Sequence, residues 1–545
     1  MLNRRTFIVT AAAGLALPRG AVLSWQGPPF SANPFALGVA SGDPAADGFV
    51  IWTRLAPEPL VVGGGVPSEP IELRWQIATD EGMSQVVNEG TSTADPAWAH
   101  AVHVEVDGLE PDRWYWYQFK AGSEISPVGR SRTAPPSGAR TDAFRFAFAS
   151  CQNWSDGFYV AYRDMVAQDL DLVIFLGDYI YEQGLSDFGG VRRVTVPSEV
   201  RTEPRTLDQY RLRHALYKRD LDLQAAHARF PWVVTWDDHE VDNDYAGETP
   251  NPVYSSDEFL VRRAAAYRAY YEHMPLRERA RPKGPHLQLF RRLSFGDLVT
   301  INALDTRQYR SHQHLSCSAE EHMQNGGYCA PSLDPSRTML GADQKNWLLD
   351  GLASSTATWN VLAQQVPMAQ HDGQAGPGVV FGGAIGDKWD GYAYERDELL
   401  AAMAELSRDR PLNPVVITGD VHDNRVYLLK TDWNAFDDAS AVAVEFVGTS
   451  ITSEGDDPLM QDGGFTTRCG SMPDNPHQTF FDNHRGYVLC TVAPDQWQTE
   501  FRVVPTVAEA TASASTLATF VVEQGRSLAE QASACPADGT PVAER

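Results

Sequence analysis

The sequence is poor in positive charge: 45 lysines and arginines face 71 aspartates and glutamates across 545 residues, a net charge of −26. Such a surface repels nucleic acid and anionic membranes at long range, so no nucleic-acid partner is expected. An anionic ligand would need local cations, and bound metal ions are the obvious source. Long apolar runs are also scarce. The stretch Ile8 to Leu17 is far short of the ~20 residues of a permanent membrane anchor, and no later stretch is long and apolar enough to span a bilayer. Cysteine is limited to Cys151, Cys317, Cys329, Cys469, Cys490 and Cys535, whose pairing cannot be deduced from spacing. There is no G-x-S-x-G, which weakens a serine esterase, and no internal repeat or low-complexity tract.

What is present begins with MLNRRTFIVTAAAGLALPRGAVLS, where Arg4 and Arg5 precede a short apolar segment. It resembles a twin-arginine signal peptide, taken as residues 1–32. This predicts export by the twin-arginine machinery, already folded and loaded with any cofactor, to a periplasmic or extracellular location. Disulfides are then expected. Cys317 and Cys329 flank a Gly-Gly loop and are suited to closing it, whereas Cys490, inside the apolar run Gly486 to Val492, reads as a buried thiol.

The chain is too long for one core, and 14 Trp and 23 Phe suffice for more than one. Residues 33–138 read as short strands: Phe49 to Thr53, Ile71 to Ile77, His103 to Val106 and Trp114 to Phe119. These predict a small all-β domain of fibronectin-III or immunoglobulin type, closed by a Pro-rich linker at Ala134 to Gly138. From Ala143 strands alternate with helices: Phe144 to Ala149, Leu172 to Leu176, Trp232 to Trp236, Leu298 to Leu304, Asn360 to Ala363 and Val415 to Thr418. Leu207, Tyr210, His214, Tyr217 and Leu221 recur at helical spacing. The alternation predicts an α/β layered domain over 139–545, ending in a helix from Thr516 to Ala532.

Four strands end in ligand-type side chains. Phe144 to Ser150 ends in Cys151; FLGDYIYE carries Asp178 and Tyr181; VVTWDDHEVDN carries Asp237, Asp238, His239, Glu240, Asp242 and Asn243; VVITGDVHDN carries Asp420, His422 and Asp423. Ligands collect at the carboxyl ends of strands in open α/β sheets, so these far-apart groups are able to converge. A tyrosine oxygen binds metal well only as phenolate, which a trivalent iron favours and an ordinary divalent ion does not; a Cys151 thiolate suits the same ion. Asp238 and Asp420 offer hard oxygens suited to calcium, magnesium or manganese. The residues thus suggest two unlike metals sharing Asp178, with His239 poised to protonate a leaving alkoxide or to steady the transition-state charge.

These motifs carry a resemblance. GDYIY fits the GDxxY block of the calcineurin-like and purple-acid-phosphatase metallophosphoesterases, WDDHE stands where they carry GNH(D/E), and GDVHDN where they carry GHxH. With FASCQNW, LDTRQYR and EFVGTSITSEG, the chain resembles the PhoD-type alkaline phosphatases along nearly its whole length. The resemblance implies a metallophosphoesterase-type layered β-sandwich flanked by helices, and a phosphatase or phosphodiesterase acting on a phosphate-ester substrate through metal-activated water. It implies that Cys151, Asp178, Tyr181 and His422 hold Fe(III), and that Asp178 bridges to one or two Ca ions, with other divalent ions possible there. Asp238 and Asp420 would supply further oxygens, Asn243 is a plausible contributor, and His239 stands at the general-acid position. NVLAQQVPMAQ lacks the histidine usual for the superfamily. Asp305 and Arg307 in LDTRQYR read as holders of substrate or of the metal-ligating side chains, and at least as well as a buried structural ion pair. A monomer is expected. The rival reading is a non-catalytic exported metal-binding or adhesion protein on the same fold.

Overall fold

The computed structural model describes residues 30–252, 254–313, 318, 321, 328–371, 386–433, 435, 438–455, 464–472 and 475–535. Two large mixed sheets organise them. The ten-stranded sheet runs in the order Ala529–Gln531, Ser515–Glu523, Gln496–Val504, Arg485–Val492, Phe144–Ala149, Leu172–Phe175, Pro231–Val234, Val39–Ala45, Gly48–Arg54 and Ala101–Val106. The eight-stranded sheet runs Arg291–Phe295, Val299–Ala303, Trp359–Ala363, Pro414–Thr418, Ala441–Val447, Asn424–Lys430, Gln478–Asp482 and Thr467–Cys469. Each has a parallel centre: Phe144–Ala149, Leu172–Phe175 and Pro231–Val234 in one, Val299–Ala303, Trp359–Ala363 and Pro414–Thr418 in the other.

Side chains alternate across a strand, and the strand sequences place apolar groups on both faces. Phe144, Phe146 and Phe148 meet Ile301, Val361, Val415 and Ile417 in a core between the sheets. Ala147, Ala149, Val173 and Phe175 point the other way, onto the helices Val160–Ala167, Leu207–Lys218, Leu221–Arg229 and Ser256–His273. On the far side of the eight-stranded sheet, Leu362 and Val416 pack on the helices Gly341–Ser354 and Ala393–Leu406. The fold is α/β, two mixed sheets flanked by helices. The single helix suggested by Leu207 to Leu221 is two, because the Asp220 carboxylate caps a new start by accepting the N–H groups of Asp222 and Leu223.

The N-terminal strands depart from expectation. Ile71–Ala78, Val86–Ala94 and Trp114–Ala121 form a separate small sheet with Glu124–Ile125 and Gly129–Arg132. Its core partners, Phe49, Ile51, Val102 and Val106, belong to strands of the large sheet. Val39–Ala45 pairs in parallel with Pro231–Val234, in register Ser41 to Pro231. These strands therefore do not close a free-standing fibronectin-type sandwich; one of their two layers continues the central sheet.

The expected helix from Thr516 to Ala532 is two strands, Ser515–Glu523 and Ala529–Gln531. Thr516, Thr519, Val521 and Val522 are β-branched, and Leu517, Phe520 and Val522 enter the inter-sheet core. Cys469 and Cys535 form a disulfide that ties the end of the chain to the eight-stranded sheet. Cys329 is also disulfide-bonded, while Cys317 lies outside the described residues. Cys490 is a buried free thiol. The signal-peptide expectation falls almost wholly outside the described residues.

Candidate metal centre

The carboxyl ends of the parallel strands deliver the site. Beyond Phe144–Ala149 and Leu172–Phe175 the two chains stay paired: Cys151 N–H donates to Gly177 O (3.0 Å) and Gln152 N–H to Asp178 O (3.1 Å). A side chain on Gly177 would strike the Asp237 backbone nitrogen at 2.6 Å, so the approach of the neighbouring strand end requires glycine there. The buried Glu240 carboxylate locks the two loops together, accepting the N–H groups of Asp178 (3.1 Å), Tyr179 (2.5 Å) and Asp237 (2.8 Å).

Four residues of the centre hold left-handed backbone conformations: Cys151 (φ 58°), Asp178 (57°), Asp420 (70°) and His422 (58°). Such conformations in non-glycine residues cost about 1–3 kcal/mol each and persist where surrounding structure enforces them. They aim the four side chains inward.

One ligand atom each from Cys151, Asp178 and His422 lie within 4.8 Å of one another, as do those of Asp178, Asp238 and His239. Asp178 belongs to both groups. The Tyr181 hydroxyl joins the first, donating to Asp178 Oδ2 (3.0 Å), 3.2 Å from His422 Nε2, and accepting from Ser453 Oγ (2.6 Å). Asp420 is close enough for its charge to act on both Asp178 and Asp238. Asn243 enters through its backbone, whose N–H donates to Glu182 Oε1 (3.1 Å).

The protonation chemistry fits cations. Burial, and then the charges of Asp238, Glu240 and Asp420, push the Asp178 carboxyl well above the usual range against the opposing pull of His239. Asp178 Oδ1 and Asp420 Oδ2 are buried and accept no hydrogen bond. Burial and the Asp178 charge likewise push the Cys151 thiol up. Such a pocket of crowded buried acids, two of whose oxygens accept no hydrogen bond, is costly unless a positive ion fills it. His422 is lowered to about 3, by burial first and then by the charges of Arg485 and His239. It is thus a neutral imidazole. Its Nδ1 lies 3.1 Å from Glu454 O, and an N–H donated there leaves the Nε2 lone pair facing the cluster. A thiol, a phenol, an imidazole and a shared carboxylate on one side, with Asp238 and Asp420 on the other, suit a softer ion beside a harder one.

His239 behaves differently. Burial opposes its charge, but Asp238, Glu182 and Asp178 outweigh burial and hold it protonated well above the usual histidine range. Its Nδ1 donates to Glu182 Oε2 (2.7 Å), and its ring stacks on Tyr181 at 4.2 Å. Glu182 was in view in GDYIYE but was not assigned from sequence, because nothing along the chain shows that its partner lies 57 positions away. Glu240 and Ser453 were missed for the same reason.

Arg307 is buried in ion pairs, its Nη2 also lies 3.5 Å from Oδ1 of the candidate ligand Asp238, and its backbone N–H donates to Asp305 Oδ1 (3.0 Å). It donates to Asp237 and, bidentately, to Asp387 (2.6 and 2.9 Å), which also receives Arg310 Nη1 (2.8 Å). In the histidine-less stretch, Gln365 Oε1 instead accepts the Thr306 N–H (3.0 Å), and Gln365 O accepts the Gly419 N–H (2.9 Å), bracing the start of the Asp420 loop.

Known proteins resemble this chain in sequence and fold. Residues 146–501 match the model of the PhoD-like phosphatase family, and residues 21–135 match that of the PhoD-like phosphatase N-terminal domain. The chain is similar to alkaline phosphatase D of Bacillus subtilis (strain 168), with 45% identity over 540 residues, covering 96% of this chain and 88% of the relative. It is also similar to a solved structure of PhoD, with 44% identity, a TM-score of 0.82, and coverage of 93% of this chain and 94% of the other. The chain belongs to the PhoD-like phosphatase family and is a metal-dependent phosphoesterase.

Proposed function

We propose that this phosphoesterase is exported and hydrolyses organic phosphate mono- and/or diesters at a mixed iron–calcium centre. Cys151, Asp178, Tyr181 and His422 would hold Fe(III). Asp178 would bridge to calcium, which Asp238 and Asp420 would ligate, with Asn243 beside them. The observation that carries the reading is that Asp178 sits in both close ligand groups with one buried oxygen lacking any hydrogen-bond donor. Bound cations supply charge compensation for the phosphate and lower the pKa of a water at neutral to alkaline pH.

The chain's own residues do the rest. Glu182 orients His239 and keeps its Nδ1 proton engaged, which leaves Nε2–H free to be given to the departing alkoxide. The stacked Tyr181 ring fixes the plane of that imidazole. Glu240 holds the Asp178 and Asp237 loops in register, so that the ligand oxygens are in place before substrate arrives. Export is supported by the Cys469–Cys535 disulfide, a bond favoured in oxidising compartments, and by the twin-arginine stretch at the N-terminus. No helix among the described residues is long and apolar enough to cross a membrane.

The test is a parallel assay of aryl phosphate monoester and diester with the purified protein and Asp178→Asn. Turnover by the native chain and its loss in the variant are expected. Undiminished turnover in Asp178→Asn refutes the assignment.

A further inference from the structure

Besides the protonated His239, Lys388 is a cation of this site that stands partly open among the described residues. Its Nζ lies 3.4 Å from Asp420 Oδ2, with 21% of its side chain exposed. That contact is an ion pair without hydrogen-bond geometry, since Asp420 Oδ2 accepts no hydrogen bond. The ammonium's charge also reaches His422. The arginines around the centre among the described residues are committed: Arg307 and Arg310 are buried on Asp237 and Asp387, and Arg485 donates to Ser450 Oγ and to the carbonyls of Ser453 and Asn483.

The backbone beneath Lys388 is fixed. Asp387 is clamped by both arginines, Trp389 Nε1 donates to Gln364 Oε1 (2.8 Å), and Gly391 N–H donates to Lys388 O (2.9 Å). A flexible four-carbon stem therefore stands on a rigid base at the edge of an acid cluster. A phosphate ester approaching that cluster meets the negative charges of Asp178, Asp238 and Asp420, and gains from a cation able to move toward it.

We propose that Lys388 is a phosphate-binding residue whose ammonium rests on Asp420 until a metal ion takes that carboxylate, and then turns to the substrate phosphate. Repulsion between the arriving cation and the ammonium drives the exchange, and the side chain's reach permits it. The consequence is coupling: calcium binding at Asp420 frees the group that receives phosphate, and phosphate binding favours calcium by the same factor. The inference rests on the reading above that Asp420 is a metal ligand.

The experiment uses the metal-loaded full chain, Lys388→Met and Lys388→Arg. Inorganic phosphate affinity is measured as competitive inhibition, and Ca²⁺ affinity by calorimetry with and without phosphate. In Lys388→Met the phosphate affinity should fall about tenfold or more, as expected for a lost charge-assisted contact. Ca²⁺ affinity without phosphate should be unchanged or tighter, because a competing cation is gone, and the phosphate-induced tightening should shrink. Lys388→Arg should keep most of the phosphate affinity. Native phosphate affinity in Lys388→Met overturns the inference, and so does weakened Ca²⁺ binding without phosphate, which marks Lys388 as a support of the metal loop. If the native protein itself binds no Ca²⁺, the reading of Asp420 as a ligand fails, and the proposed exchange fails with it.

Discussion

Lys218 offers a severe test of how the layers beside the centre are held. It ends the helix Leu207–Lys218, is 2% exposed, and lies 4.4 Å above the Trp52 ring and 5.4 Å from the Tyr179 ring, next to Asp178 in sequence. No described carboxylate forms an ion pair with it. Burial lowers it from 10.5 to about 7. At ~1.36 kcal/mol per tenfold change in proton affinity, that gap is worth roughly 5 kcal/mol against folding.

The sign follows from proton binding. Below about 7 both states carry the charge, and the full cost applies. Between about 7 and 10.5 the unfolded chain keeps a proton that the folded protein has lost, so stability rises with pH. Above 10.5 the lysine contributes nothing. Lys218→Met keeps most of the stem and removes the charge. In urea denaturation of identically metal-loaded samples, the variant should exceed the native protein by about 5 kcal/mol at pH 6, as that gap implies, and the advantage should fade toward pH 10. A variant less stable than native, by an amount that does not change across this range, would refute the reasoning.

Other consequences concern the loops. Glu182→Gln keeps a hydrogen-bond acceptor near His239 but removes its charge, so kcat should fall roughly 10- to 100-fold with KM little changed. Without that anion His239 loses its proton more readily, and the alkaline limb of the pH–rate profile should move to lower pH. Glu240→Ala leaves three buried backbone N–H groups without an acceptor, at about 1–3 kcal/mol each, and should lower the melting temperature along with metal retention. Arg307→Met strands Asp237 in the interior, leaves Asp387 to Arg310 alone, and should cost about 3–5 kcal/mol in equilibrium unfolding, a loss that a buried structural pair predicts and a surface contact does not.

The candidate centre was legible in the sequence because its candidate ligands follow apolar runs that fill both faces of a strand. Phe144 to Ala149, Leu172 to Phe175 and Pro414 to Thr418 are short and buried on both sides, and Cys151, Asp178, Asp420 and His422 occupy the next turn. Residues that act across the fold were less visible. Glu240 looks like one more acid in WDDHEVDN until its carboxylate is seen under the Asp178 loop, and Lys388 has no local signature. Thr516 to Ala532 misled because short apolar spacing suits either a helix or a strand, and the β-branched residues decided for the strand. The N-terminal strands were found, yet no local pattern tells which sheet a strand joins: Val39–Ala45 met Pro231–Val234, some 190 residues along the chain.

Asp178 makes the strongest claim, since it is read as serving two cations at once. Elemental analysis of the native protein beside Asp178→Asn, with far-UV dichroism to confirm folding, addresses it directly. Iron and calcium together in the native chain, and both depleted in a folded variant, are predicted. A folded variant that retains both metals, or a fully active native protein with neither, contradicts the shared centre.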